Sequence, residues 1–136
     1  MLSDRQLEDF RRDGYLLIRG LYDRGEMRDI TAWTDEVTAW PEMPGKYMMY
    51  FEQSKLAPGR RILCRMEDLE PYHAGFRELF CSGKMQGAVS DLLGEEAVLF
   101  KDKINFKLPG GGGFEPHQDQ QAGWSTYAPL FVTVLV

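Results

Sequence analysis

The hydrophobic positions of the first forty residues fall into two helical stripes separated by one short apolar run. Ser3 and Gln6 stand at capping-box spacing, where a hydroxyl and an amide each satisfy a free backbone N–H at a helix start. Leu7 and Phe10 then share a face, and Gly14 follows as a natural stop. Tyr15 to Arg19 is a compact apolar run and reads as a strand covered on both faces. Asp23 can cap a second helix, in which Met27, Ile30, Trp33, Val37 and Trp40 recur at steps of three and four and Pro41 ends the stripe.

Between Glu42 and Pro71 the pattern is broken by prolines and glycines. Tyr47–Phe51 and Ile62–Met66 fit short strands around a loop at Ala57-Pro58-Gly59. Helices are expected at Ala74–Cys81 and Lys84–Leu93, the second closed by Gly94 with Met85, Val89, Leu92 and Leu93 inward. From Glu96 the period shortens. Ala97–Leu108, Glu115–Gln120 and Pro129–Val136 read as strands, with Gly110–Gly113 as a flexible hairpin connection. Helices first and strands afterwards predict an α+β fold, with N-terminal helices buttressing a sheet or barrel. The last run, Leu130 to Val136, is apolar on both faces and demands neighbours on both sides. The expectation is one domain over 1–136 that forms the N-terminal part of a longer polypeptide, rather than a short protein completed by a second copy.

Composition narrows the function classes. The 136 residues are 43% hydrophobic with a net charge of -5, which suits a globular domain and disfavours nucleic acid or an anionic membrane as partner. The polar start lacks a signal-peptide pattern, and no apolar run reaches the ~18 residues of a membrane span. Two cysteines, Cys64 and Cys81, make no framework and are expected buried and inert in a reducing cytoplasm.

The chemistry concentrates at His117-Gln118-Asp119. In a strand, residues two apart point the same way, so an imidazole and a carboxylate would converge. That is two-thirds of the 2-His-1-carboxylate triad that holds non-haem Fe(II) and leaves positions open for cosubstrate and O2. A surface His beside an N-capping Asp is the plainer alternative. Upstream, Lys101, Lys103, Asn105 and Lys107 share one face while Ile104 and Phe106 share the other. Either this face lines a polar cavity or lysines guard a solvated edge; Asn105, a poor strand former, favours the cavity. Trp124 is a candidate wall of the site, or ordinary core. His73 reads as a capping or surface group and not as a third ligand. Arg60, Arg61 and Arg65 with Tyr47 and Tyr50 form either an anion-recognising wall or a solvated loop. The glycine run lacks the Gly-Lys-Ser/Thr of a phosphate loop, and no hydrolase elbow occurs.

Two blocks carry a family resemblance. Residues 2–15, Leu-Ser-Asp-Arg-Gln-Leu-Glu-Asp-Phe-Arg-Arg-Asp-Gly-Tyr, resemble the opening of the phytanoyl-CoA dioxygenase family. Phe100 to Gly110, followed by Pro116-His117-Gln118-Asp119-Gln120 and Trp124, resembles its metal-binding core. The resemblance implies a double-stranded β-helix (jelly roll), incomplete in this chain, that uses Fe(II), 2-oxoglutarate and O2. It implies His117 and Asp119 as metal ligands, and Asn105, Lys101 and Thr133 as candidate 2-oxoglutarate contacts. The implied reaction decarboxylates 2-oxoglutarate to succinate and CO2 and hydroxylates an unactivated C–H bond of a small-molecule or acyl substrate. The second histidine ligand and the arginine that would grip 2-oxoglutarate are expected beyond position 136. A jelly-roll binding protein without oxygenase chemistry, cupin-like, is the alternative.

Overall fold

A computed structural model describes all of residues 1–136. Four α-helices pack beside a three-stranded antiparallel sheet. Helix α1 spans Asp4–Asp13 and α2 spans Arg24–Thr38; strands β1, Met48–Gln53, and β2, Arg61–Glu67, follow. Helices α3, Ala74–Cys81, and α4, Gly83–Leu93, come next, and then strand β3, Lys103–Asn105. The sheet order is β1-β2-β3.

The helices form where their end signals lie. Ser3 and Gln6 close a reciprocal capping box, and Gly14 terminates α1 with a left-handed φ of 79°. Asp23 caps α2 through Gly25 and Glu26 N–H groups, and Glu26 returns a bond to the Asp23 N–H. Each such cap is worth about 1 kcal/mol. The stripe on α2 faces inward as its spacing demands: Val37 is fully buried, with Ile30, Trp33 and Trp40 packed around it, while Met27 at the first turn stays exposed. His73 caps α3, its Nδ1 accepting the Phe76 N–H at 3.1 Å. On α4, Met85 and Ala88 are buried and Val89 packs partly against the core. The core lies between α2, α3, α4 and one face of the sheet, built from Val37, Tyr47, Met66, Leu69, Phe76, Leu79 and Met85.

The strands differ more from expectation. β1 and β2 pair in the anticipated hairpin, with a bulge between Tyr50 and Phe51. Tyr15 to Arg19 forms no strand; Tyr15 and Leu17 are 70% and 64% exposed. Of the strand expected over Ala97–Leu108, only Lys103–Asn105 joins the sheet, opposite Arg65–Glu67. Two side chains hold the preceding residues off the ladder. Ser90 Oγ takes the Ala97 N–H, and Asp102 turns back to the Leu69 and Glu70 N–H groups. Glu115–Gln120 and Pro129–Val136 are likewise not strands. An apolar or alternating run becomes a strand only beside a backbone that accepts its hydrogen bonds, and none of the 136 residues lies alongside these. The 117–122 stretch closes local bonds instead, Gln121 N–H to Gln118 O and Gly123 N–H to Gln120 O, as a 3₁₀ turn over Asp119–Ala122. The architecture is therefore mixed helix and sheet with a small antiparallel sheet.

The glycine run is not a hairpin connection. It docks on the β1–β2 hairpin: the Lys55 N–H donates to Gly110 O at 2.7 Å, and the Gly112 N–H donates to Glu52 Oε2 at 2.8 Å. A Cβ at Gly111 or Gly112 would stand 2.8 or 2.9 Å from the Glu52 carboxylate, so the flexible end of Glu52 would have to shift to admit one. No helix is long and apolar enough to cross a membrane.

Candidate metal centre and adjoining cavity

His117 and Asp119 come together without a strand. The backbone is still extended at Gln118, with φ -98° and ψ 124°, before the 3₁₀ turn begins at Asp119. One extended residue suffices to put its neighbours' side chains on the same side. His117 Nε2 lies 3.4 Å from Asp119 Oδ1, with the two side chains 50% and 29% exposed. His117 Nδ1 is 2.7 Å from the Glu115 carbonyl oxygen. A carbonyl can only accept, so Nδ1 donates to it, and Nε2 is the ring nitrogen turned toward the carboxylate. Thr133 Oγ1 donates to the other carboxylate oxygen, Oδ2, at 3.2 Å. Both groups are thus oriented from outside.

These donors fit a first-row divalent ion. Two ligands about 2.1 Å from one metal and roughly at right angles stand near 3.0 Å apart, close to the observed spacing. No group of three His, Cys, Asp or Glu side chains converges; His117 and Asp119 stand as a pair. His73 is not the third: its Nδ1 is engaged as a helix cap, its Nε2 faces Glu36 at 3.7 Å, and Trp33, Trp40 and Phe76 enclose it.

Next to this turn lies a cavity of about 520 Å³. Ala122 and Trp124 form one wall, and Glu67, Lys101 and Phe100 face it from the sheet side. Trp124 therefore lines a cavity and also packs edge-on against Phe100 and Phe131, with centroids 5.3 and 5.4 Å away. Lys101 is not a free cation. Its Nζ is 3.0 Å from Glu67 Oε1, which also stands 3.0 Å from Arg65 Nε, although the buried Nε and Oε1 atoms align no hydrogen bond. Asn105, exposed at the end of β3, sits directly across from Arg65. Lys107 lies over the Phe114 ring. Ile104 and Phe106 pack on the core, as the alternation requires. Thr133 bonds Asp119.

Sequence reasoning missed Glu67 and Asp102, both buried. The spacing Arg65-x-Glu67 on β2 repeats the same-face logic of Lys103-x-Asn105 on β3, and that signal was available. Of the arginines, Arg61 pairs with Glu42 at 3.1 Å and covers Phe51, while Arg65 lies 4.2 Å over the Tyr50 ring, so neither is a merely solvated loop residue. Cys64 and Cys81 are free and partly buried, and burial raises the Cys81 thiol.

Comparison with known proteins covers the same residues. The chain matches the family model of phytanoyl-CoA dioxygenase (PhyH) over residues 10–136. It is 42% identical over 134 residues to the 2-aminoethylphosphonate dioxygenase of Uncultured bacterium HF130_AEPn_1, a match covering 98% of this chain and 51% of that protein. It is 38% identical over 121 residues to the methylphosphonate hydroxylase of Gimesia maris, covering 89% of this chain and 45% of that one. Dioxygenase lolE1 of Epichloe uncinata is 33% identical over 139 residues, 99% of this chain and 52% of its own. The chain spans about half the length of these curated relatives, and no solved structure matches it. On the strength of a family match running from Phe10 to Val136, this chain belongs to the phytanoyl-CoA dioxygenase family.

Proposed function

We propose that the complete protein is an Fe(II)- and 2-oxoglutarate-dependent dioxygenase with a jelly-roll domain, of which these residues form the N-terminal part. Its substrate is a small molecule with an unactivated C–H bond, and two of the three relatives are named for organophosphonates, which makes a small phosphonate the first class to try. The observation that carries the reading is the His117–Asp119 pair, two groups 3.4 Å apart with the imidazole ring oriented through Nδ1 by Glu115 O, in a chain of this family.

When bound, iron and 2-oxoglutarate supply the oxidising chemistry, with O2 as oxidant and succinate and CO2 as by-products. This chain's residues bind and orient. His117 and Asp119 would hold the metal, the first presenting Nε2 because Glu115 O retains the proton on Nδ1, the second fixed by Thr133. Lys101, on the cavity lining just before β3, and Asn105, at the end of β3, are the residues of this stretch suited to the cosubstrate carboxylates. Lys101 can serve there only while sharing its charge with Glu67. Trp124, Phe100 and Ala122 wall the cavity with apolar surface that sheds water from the reacting side.

Anaerobic titration of the complete protein with Fe(II) and 2-oxoglutarate tests this. A weak visible charge-transfer band is expected in the wild type and is absent in His117→Ala and Asp119→Ala, each folded by circular dichroism. Succinate production should drop at least a hundredfold in both variants. Undiminished succinate from either one removes the ligand assignment.

A further inference from the structure

The stretch that leads into His117 belongs to no helix or strand, and its attachment to the rest of the molecule is sparse. The chain leaves β3 with the Phe106 N–H on the Cys64 carbonyl oxygen at 2.9 Å, then runs to the loop end of the β1–β2 hairpin. From residue 107 to residue 117 only two hydrogen bonds reach outside the stretch. The Lys55 N–H donates to Gly110 O at 2.7 Å, and the Gly112 N–H donates to Glu52 Oε2 at 2.8 Å. The others, Gly111 N–H to Leu108 O and His117 Nδ1 to Glu115 O, close within it. Glu52 is thus the one side chain that ties this stretch to the sheet by a hydrogen bond.

Its position suits an anchor. Glu52 is half-buried on β1, paired in register with Ile62, with β2 lying between β1 and β3. A carboxylate accepting a backbone N–H makes a charge-assisted bond, stronger than a neutral one. The run meets it as bare backbone, since a Cβ at Gly111 or Gly112 would stand 2.8 or 2.9 Å from a Glu52 carboxylate oxygen. His117 follows Gly112 by five residues. Five residues freed from their anchor can reach about 17 Å, whereas a metal ligand must be held to about 0.5 Å. We propose that Glu52 is a positioning residue of the metal centre: by holding the Gly112 N–H it fixes the run from which His117 and Asp119 are presented. This rests on the reading of those two residues as metal ligands. A staple that served stability alone would leave metal affinity unmoved at equal stability, and that difference is measurable.

The complete protein is titrated with Mn(II) alone, following the electron paramagnetic resonance signal of the free ion. Glu52→Leu removes the acceptor, and Glu52→Gln keeps an acceptor oxygen without the charge. Support from outside the ligand atoms is worth roughly 10–100-fold in metal affinity, so Glu52→Leu should weaken Mn(II) about tenfold and Glu52→Gln should stay within about threefold of wild type. Val37→Ala truncates a fully buried core residue; it should lower the urea midpoint at least as far as Glu52→Leu and keep wild-type Mn(II) affinity. Amide hydrogen exchange gives a readout without metal. The Gly112 N–H should exchange much faster in Glu52→Leu than in wild type, while the Phe76 N–H, capped by His73, stays protected. Wild-type Mn(II) affinity in Glu52→Leu, a Gln variant as weak as Leu, an equal loss in Val37→Ala, or a Gly112 amide indifferent to Glu52→Leu overturns the proposal. His117→Ala separates the two readings. Mn(II) binding that survives it defeats the ligand assignment, and binding lost there but kept in Glu52→Leu defeats the anchor alone.

Discussion

Asp102 sits between two lysines in sequence, yet its side chain avoids both. It accepts the Leu69 N–H at 2.9 Å and the Glu70 N–H at 3.1 Å, closing the turn where Asp68 takes its left-handed φ. Burial raises the Asp102 carboxyl above its ordinary value of 3.8, with the two N–H donors opposing that shift and Asp68 and Glu70 adding to it. In the folded state the proton is held more tightly than in the unfolded chain. Between the ordinary value and the raised one the native state binds more protons, so stability falls as pH rises through that window and levels off above it. Asp102→Asn should remove this slope, read from urea midpoints between pH 3.5 and 6; a variant that tracks the wild type throughout would show Asp102 titrating as it does in water. Asp102→Ala, which strands two N–H groups, should lower stability by roughly 2–4 kcal/mol. None of this was legible in sequence, because a side chain that leaves its own strand to close a remote turn has no local pattern. The 117–119 spacing was legible: it needs one extended residue at Gln118 and nothing longer in range.

At the scale of elements, what could be read locally was read well. Helices α3 and α4 begin and end within a residue of their expected limits, since caps such as His73 and Gly94 act within one turn. Strands are decided by partners, and so Lys103–Asn105 paired while Val98, with no backbone opposite it, stayed 85% exposed. The glycine run shows the same dependence. Its role as a docked turn depends on Glu52 and Ser54, more than fifty residues upstream. Gly110 has φ 87°, and a Cβ there would meet Ser54 Oγ at 2.5 Å, whereas Gly113 has open space. Gly110→Ala should therefore destabilise by roughly 1–3 kcal/mol, while Gly113→Ala stays within about 0.5 kcal/mol of wild type. Chemical denaturation of the two variants checks the contrast, and equal effects would mean that the turn does not rest on the hairpin.

The whole molecule exposes more surface than its mass warrants. These 136 residues present 9698 Å², against about 7,200 Å² for a compact monomer of 15.6 kDa. The excess is comparable to a complete protein–protein interface, and much of it is apolar: Tyr15, Leu17, Val98, Leu130 and Leu135 are each more than half exposed. Those residues lie in segments that read as strands and found no partner here. In the complete protein as proposed above, further barrel strands would supply such partners and order the 97–102 and 130–136 stretches. On that proposal the same cover would also bring the metal's remaining ligand to the His117–Asp119 pair. Produced by itself, the 136-residue polypeptide should bind the dye ANS and self-associate at tens of micromolar in sedimentation velocity, and the complete protein should do neither. A 136-residue polypeptide that stays monodisperse and ANS-silent would show that these apolar segments need no further strands, and the barrel reading of the complete protein would lose its main physical support.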